Sequence, residues 1–243
     1  MSAMTLSPER DPMGAAIADY LAYGKASKLR VFSSQVDEDE IPVPQLFRSY
    51  EQMPEIERVA LQRCSGRILD VGAGSGCHSL ALQAMEKPVM AIDISPLSVA
   101  AMRERGVKDV RCINLFDPAL AERFDTILLL MNGSGIVGKL ANFPAFFVRM
   151  KQLLTPGGQI LMDSSDLSYL FEDEDGNLDF APEDDYYGEV DFRMQYKQVK
   201  GDPFDWIYID FCTLSLQAAQ AGFQAEKIAE GEHFDYLVRL TLK

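Results

Sequence analysis

The 243-residue chain has one tryptophan, two histidines and four cysteines. Cys64, Cys77, Cys112 and Cys212 lie far apart, and none belongs to a CxxC pair. No zinc or redox motif can be read from them, and reduced thiols of a cytosolic protein are expected. Basic residues are scarce, 23 against 37 acidic ones, for a formal net charge of −14. Such a field repels polyanions, so no nucleic-acid partner is expected. No apolar run approaches the roughly 20 residues of a membrane-spanning helix; Thr126–Met131 is typical of the longest. Met1–Gly14 has no apolar core, so neither a secretory leader nor a membrane partner is expected, and the location is read as cytoplasmic. Internal repeats and Pro- or Ser-rich linkers are also missing. What remains is 47% hydrophobic and 25% charged, an ordinary globular composition long enough to bury a full core.

The negative charge is concentrated. Residues 172–191 hold ten acids and no Lys or Arg, which leaves the rest of the chain at −4. This stretch reads as a solvated loop. Its Asp-Glu-Asp-Gly run lacks the later acids of a calcium loop, so no metal is assigned. Residues 11–63 read mainly as helix, opened by Asp11 as N-cap and Pro12 at the first helical position. A second helix is expected from Pro44 to Arg63, interrupted near Pro54, with the acidic run Asp37–Glu40 as a solvated loop between the two.

From Gly66 onward, short apolar strands alternate with helices. Strands are expected at Arg67–Val71, Val89–Ile94, Val110–Ile113, Thr126–Met131 and Gln159–Asp163. Helices are expected at His78–Lys87, from Ser95-Pro96 to Gly106, and at Asn142–Leu154. This alternation predicts a parallel sheet covered on both faces. The last third differs. Val190–Val199 alternates apolar and polar residues, Lys200–Pro203 turns the chain, and Phe204–Phe211 is extended, which together predict an antiparallel hairpin. A helix at Thr213–Gly222 and strands at Ala225–Ala229 and Tyr236–Leu242 finish a mixed sheet.

The strongest local signal is Asp70-Val71-Gly72-Ala73-Gly74-Ser75-Gly76, joining a strand to a helix. Glycines there let a ligand approach the backbone, and the helix N-terminus offers free N–H groups. The G-x-G-x-x-G spacing of dinucleotide enzymes is not met: counting from Gly72 the last position is Cys77, and from Gly74 it is Ser79. Asp93 ends the next strand, where a carboxylate can accept both hydroxyls of a ribose.

Arg67–Gly76 (R-I-L-D-V-G-A-G-S-G) resembles the first motif of the class I S-adenosylmethionine-dependent methyltransferases. The resemblance covers residues 66 to 163 well and includes the Leu154-Thr155-Pro156-Gly157-Gly158 turn. It implies a three-layer α/β/α Rossmann-like fold with a mixed seven-stranded sheet, six strands parallel and one antiparallel. It implies S-adenosyl-L-methionine as cofactor, held by Asp70, Gly72, Ala73, Gly74, Gly76, Asp93, Ile94, Asn114, Leu115, Met131 and Asn132. In the family an Asp is more usual where Asn114 stands, and Asp117 competes with it for the adenine contact. A cap (1–63) and a methyltransferase core (64–243) are expected, the core carrying the acidic loop and hairpin as an insertion at about 167–211.

Methyl transfer from a sulfonium requires alignment above all, so no catalytic residue is obligatory. His78, Asn132 and Tyr50 are the candidates. His78 follows the glycine loop, Asn132 stands at the mouth of the sheet, and Tyr50 lies in the cap and could close over the methionine end. The N-P-P-Y or D-P-P-Y run of nucleobase-type enzymes is not found after the fourth strand. A small-molecule acceptor is expected. The alternatives are a protein or RNA methyltransferase and a non-catalytic nucleoside-binding protein. Phe192, Met194, Tyr196, Phe204, Trp206 and Tyr208 offer apolar area for an acceptor wall or a homodimer contact.

Overall fold

A computed structural model describes residues 4–35, 37–171 and 186–243. The acidic stretch 172–185 therefore lies outside the described residues. The N-terminal part runs α1 (Pro12–Tyr23), β1 (Leu29–Phe32), β2 (Asp39–Ile41) and α2 (Glu55–Arg63). The middle part is β3 (Ile68–Val71), α3 (Cys77–Ala84), β4 (Val89–Asp93), α4 (Pro96–Glu104), β5 (Val110–Cys112), β6 (Phe124–Leu129), α5 (Phe143–Leu153) and β7 (Leu154–Ser165). The last part is β8 (Glu189–Tyr196), β9 (Val199–Lys200), β10 (Phe204–Ile207), α6 (Phe211–Gln220), β11 (Phe223–Glu230) and β12 (Asp235–Leu242).

Seven strands form the main sheet in the order β11-β12-β7-β6-β3-β4-β5. Only β12 opposes its neighbours, pairing antiparallel with both β7 and β11, while the other four pairings are parallel. The expected count of six parallel strands and one antiparallel is what the sheet has. Both faces are apolar because successive residues point to opposite sides. Leu69, Ile127, Ile160 and Val238 meet α5 and α6; the rings of Phe143, Phe146 and Phe147 on α5 pack against one another, and Phe147 packs on Phe223 of β11. Ile68, Leu128, Leu161 and Leu237 face the other way, toward Ala60 and Leu61 of α2 and Leu82 of α3. This is the three-layer sandwich.

The N-terminal region departs from the sequence reading. Residues 11–63 hold two strands, β1 and β2, between their helical elements, and the Asp37–Glu40 run is not all loop. Leu29 and Val31 are buried and pair with β8 (Leu29↔Tyr196, Val31↔Met194), and β2 pairs with the other edge of β1. The acids fit an edge strand because cations answer them: Lys28 Nζ lies 2.9 Å from Glu40, and Arg30 pairs with Glu38. The expected interruption near Pro54 is present, but the stretch before it is not one continuous helix. Short 3-10 turns at Val43–Phe47 and Tyr50–Gln52 precede α2. Pro54 forces Met53 to stay extended, so α2 starts after the proline.

The expected hairpin is present as β8 and β10, in register Phe204↔Phe192 and Trp206↔Val190. It does not stand alone. The strands β10-β8-β1-β2, with β9 beside β8, make a second, antiparallel sheet from two distant parts of the chain. Helix α1 connects the two sheets. Ala16 packs with Leu29 and Tyr196, and Ile17 packs with Ala101 of α4.

Candidate cofactor site

The glycine loop leaves β3 at the C-terminal edge of the parallel strands, where open α/β sheets bind ligands. Gly72 and Ala73 donate N–H bonds to Ile92 O at 2.9 and 3.1 Å, which turns the chain across the end of β4. Gly72, Gly74 and Gly76 have φ of 68°, 57° and 84°, all in the left-handed region. Their surroundings differ. A Cβ at Gly72 would meet nothing within 4 Å, and one at Gly74 only Gly72 O at 4.0 Å. A Cβ at Gly76 would strike Met102 and Val107 at 2.9 Å. Gly72 and Gly74 therefore border open space, while Gly76 is a packing glycine against α4. Ala73 is buried with Ala91 and Met102.

The loop is braced from behind. Asp70 is buried, and Ser79 Oγ in α3 donates to its Oδ2 at 2.6 Å. Burial raises the Asp70 carboxyl above its ordinary range. Ser75 Oγ donates to Leu46 O in the cap. Arg105 Nη1 donates to Ser75 O at 2.5 Å and to Ser75 Oγ at 2.7 Å, and its guanidinium stands 4.7 Å over the Phe47 ring.

Asp93, half-buried, faces the loop at the end of β4. Its Oδ2 accepts Gly74 N–H and its Oδ1 accepts Ser95 N–H, each at 2.8 Å. A carboxylate oxygen has two lone-pair directions, so each keeps one for a further donor. Burial pushes this carboxyl up to about 6, against the two amides that lower it. Ser95 extends the chain of bonds: its Oγ accepts Ser98 N–H at 2.9 Å and donates to the buried Asp11. Asp11 caps α1 through Gly14 N–H at 2.8 Å, and Leu6 N–H bonds Ile94 O at 2.8 Å. The Ile94 side chain is exposed beside Asp93.

Asn114 and Leu115 follow β5. The Asn114 Oδ1 accepts Phe116 N–H at 2.9 Å, so its amide oxygen closes its own turn. Leu115 is buried, with its carbonyl accepting Arg149 Nε at 2.7 Å. Asp117 caps the next bend through Ala119 N–H at 2.8 Å. Met131 and Asn132 follow β6 with φ of 67° and 56°, and the Met131 side chain is exposed. Asp163, at the end of β7, accepts Met131 N–H at 3.0 Å and Gly133 N–H at 2.7 Å. Burial pushes its carboxyl, too, up to about 6.

The three catalytic candidates all have partners within the protein. His78 is buried with Nε2 2.8 Å from Glu57 Oε2, and Arg48 Nη2 lies 2.5 Å from the same oxygen. Burial raises the Glu57 carboxyl, but His78 and Arg48 outweigh it and hold the group below the ordinary carboxylate range. Tyr50 Oη accepts Gln62 Nε2 at 2.8 Å, and Asn132 Nδ2 donates to Ile207 O at 3.2 Å. Asp163, Arg105 and the Arg48–Glu57 pair had no local signal as site residues, and Ser95 was legible only as a helix cap. Asp11 was legible as a cap. Its second bond, to Ser95, had no local signal, because the partners are 84 positions apart. Cys64 and Cys77 are buried, and burial pushes their thiols up to about 12 and about 11; Cys112 and Cys212 are exposed.

Residues 69–162 match the family model described as a methyltransferase domain. A S-adenosylmethionine-dependent methyltransferase from Bacteroides fragilis, solved in complex with S-adenosyl-L-homocysteine, is 66% identical. The match covers 99% of this chain and 98% of that one, with a TM-score of 0.94. The sugar N-methyltransferase KedS8 from a Streptoalloteichus species shares the fold at 17% identity and TM-score 0.54, covering 82% of this chain and 88% of that one. The CcbJ methyltransferase from Streptomyces caelestis does so at 13% identity and TM-score 0.63, covering 97% and 99%. No curated protein matches. The chain belongs to the S-adenosylmethionine-dependent methyltransferases, and S-adenosyl-L-methionine is its cofactor. Among the described residues, no helix is long and apolar enough to cross a membrane.

Proposed function

We infer that this methyltransferase acts on a small-molecule acceptor, with its cofactor lying along the C-terminal edge of the sheet between Gly72, Gly74 and Asp93. One observation carries the cofactor seat: two left-handed glycines border open space directly across from a carboxylate whose oxygens each keep a free lone-pair direction. Asp93 would receive the ribose hydroxyls. Exposed Ile94 would offer an apolar surface to the base, and the Met131–Asn132 turn would meet the methionine end. When bound, the cofactor supplies a sulfonium methyl group with a good leaving group.

The acceptor side is then the second sheet. Trp206 of β10 packs on Gly135, just past the Met131–Asn132 turn, and Phe204 meets Trp206 edge to face at 5.9 Å. This aromatic wall supports an acceptor of small size, and the −14 charge weighs against RNA. The distant neighbour KedS8 is a sugar N-methyltransferase, in keeping with this reading. His78, Tyr50 and Asn132 are held by internal bonds, which supports catalysis by alignment rather than by a dedicated base. The test is incubation of the protein and S-adenosylmethionine with a small-molecule library, read by mass spectrometry. A methylated small molecule appearing with S-adenosylhomocysteine is expected. Methyl groups found only on protein or RNA would overturn the acceptor class.

A further inference from the structure

The turn after β6 holds two consecutive non-glycine residues in the left-handed region, Met131 and Asn132. Asparagine enters that region readily, but a methionine sits there only against backbone strain. Asp163 offsets that strain. Each of its oxygens accepts one N–H of the turn, from Met131 at 3.0 Å and Gly133 at 2.7 Å. The carboxylate is buried at 7% exposure and, among the described residues, forms no ion pair, so the turn's amides are its compensation.

The next residue of β7 grips the same turn at a different point. Ser134 Oγ lies 2.8 Å from Ser164 Oγ and 3.1 Å from Ile207 O. Ile209 N–H donates to Ser164 Oγ at 2.9 Å, and Asn132 Nδ2 reaches Ile207 O at 3.2 Å. Gly135 then lies against the Trp206 indole, where any Cβ would collide with the ring. The turn is thus bonded on one side by a buried acid and on the other by the exit of β10.

We propose that Asp163 is a positioning residue for methyl transfer: it fixes the Met131–Gly133 turn against the methionine end of the cofactor, and through Ser134 and Ser164 that turn couples the cofactor site to strand β10. The proposal rests on the cofactor seat inferred above. A bend needed only for chain reversal would be met most simply by glycine. Here a methionine with an exposed side chain is held left-handed at the sheet edge where ligands bind.

Trp206 is the sole tryptophan of the chain and packs on Gly135, two residues past the Met131–Gly133 turn, so its emission reports on the segment that leaves the turn. Titration of the wild-type protein with S-adenosylhomocysteine shifts Trp206 emission with the midpoint found by calorimetry. Asp163→Asn removes one acceptor oxygen and sets an amide donor against a turn N–H. It weakens S-adenosylhomocysteine binding about tenfold and changes Trp206 emission before any ligand is added. Ser134→Ala reduces the ligand-induced emission change. Asp93→Ala serves as the control for the seat. If Asp93→Ala weakens binding while folded Asp163→Asn binds as the wild type does, the proposal fails and the seat stands. If neither weakens binding, the seat itself fails. If Asp163→Asn does not fold, the wild-type titration decides: Trp206 emission unmoved by saturating ligand overturns the coupling.

Discussion

The two sheets are assembled from different ranges of the chain. In the seven-stranded sheet, β3, the glycine loop, α3, β4 and α4 follow one another within Ile68–Glu104, and every loop element of the proposed cofactor seat lies at the end of a neighbouring strand. In the antiparallel sheet, β1 lies beside β8, so Leu29 meets Tyr196 across more than half the chain. One region is local and open to a ligand; the other is non-local and clamps the first. Helix α1 and Asp11 carry that clamp to Ser95, next to Asp93, and Arg105 and Leu46 carry it to the glycine loop. The site's rigidity therefore depends on residues far outside its motif.

This division can be broken at its strongest point first. Leu29→Ala empties a fully buried position of the second sheet and should cost about 2–5 kcal/mol of stability. Thermal and denaturant unfolding should still show one transition, shifted downward. Two separate transitions would mean that the second sheet folds independently and clamps nothing. Gly74→Val puts a branched side chain into the open space at φ 57°. Calorimetry should find S-adenosylhomocysteine affinity lowered beyond about 100-fold, or about 2.7 kcal/mol, with the fold retained by circular dichroism. Retained affinity would move the seat off the loop. Asp93→Ala should weaken binding roughly tenfold or more, through loss of hydrogen bonds to a charged acceptor.

The smallest effect is that of pH. Burial sets the Asp93 carboxyl at about 6, while ribose hydroxyls donate best to its ionised form. Affinity for S-adenosylhomocysteine should be flat above neutrality and fall as pH drops through 6, by roughly fourfold at pH 5.5. For folding, the sign is opposite. The folded state holds this proton more tightly than the unfolded chain, so the Asp93 contribution is present below about 4 and is lost as pH rises through about 6. Affinity that rose on acidification would show that Asp93 does not carry the ribose in its charged form.

The same comparison explains what could be read from the sequence. Asp70 to Gly76 and Asp93 were legible because strand, turn and helix each leave a short-range signature, and strand ends fix where the carboxylate sits. The strict alternation of Val190–Val199 announced β8, but alternation names a face and not a partner, so its pairing with β1 stayed hidden. Asp37–Glu40 looked like a loop because its acids find their cations, Lys28 and Arg30, only once β1 and β2 are paired. His78 drew attention as a lone titratable group after the loop. Its partner Glu57 is 21 positions away on α2, and nothing local pointed to it. Asp163 ended a recognisable strand, yet its role depends on the backbone of a turn 30 residues earlier.

The most direct test of the Asp93 seat is a crystal structure of this protein with S-adenosylhomocysteine. Both ribose hydroxyls should lie within hydrogen-bond reach of the Asp93 carboxylate, with the ligand backbone passing over Gly72 and Gly74 and the methionine end against the Met131–Asn132 turn. A ligand whose ribose lies elsewhere, with Asp93 bonded only to Gly74 and Ser95, would contradict that seat.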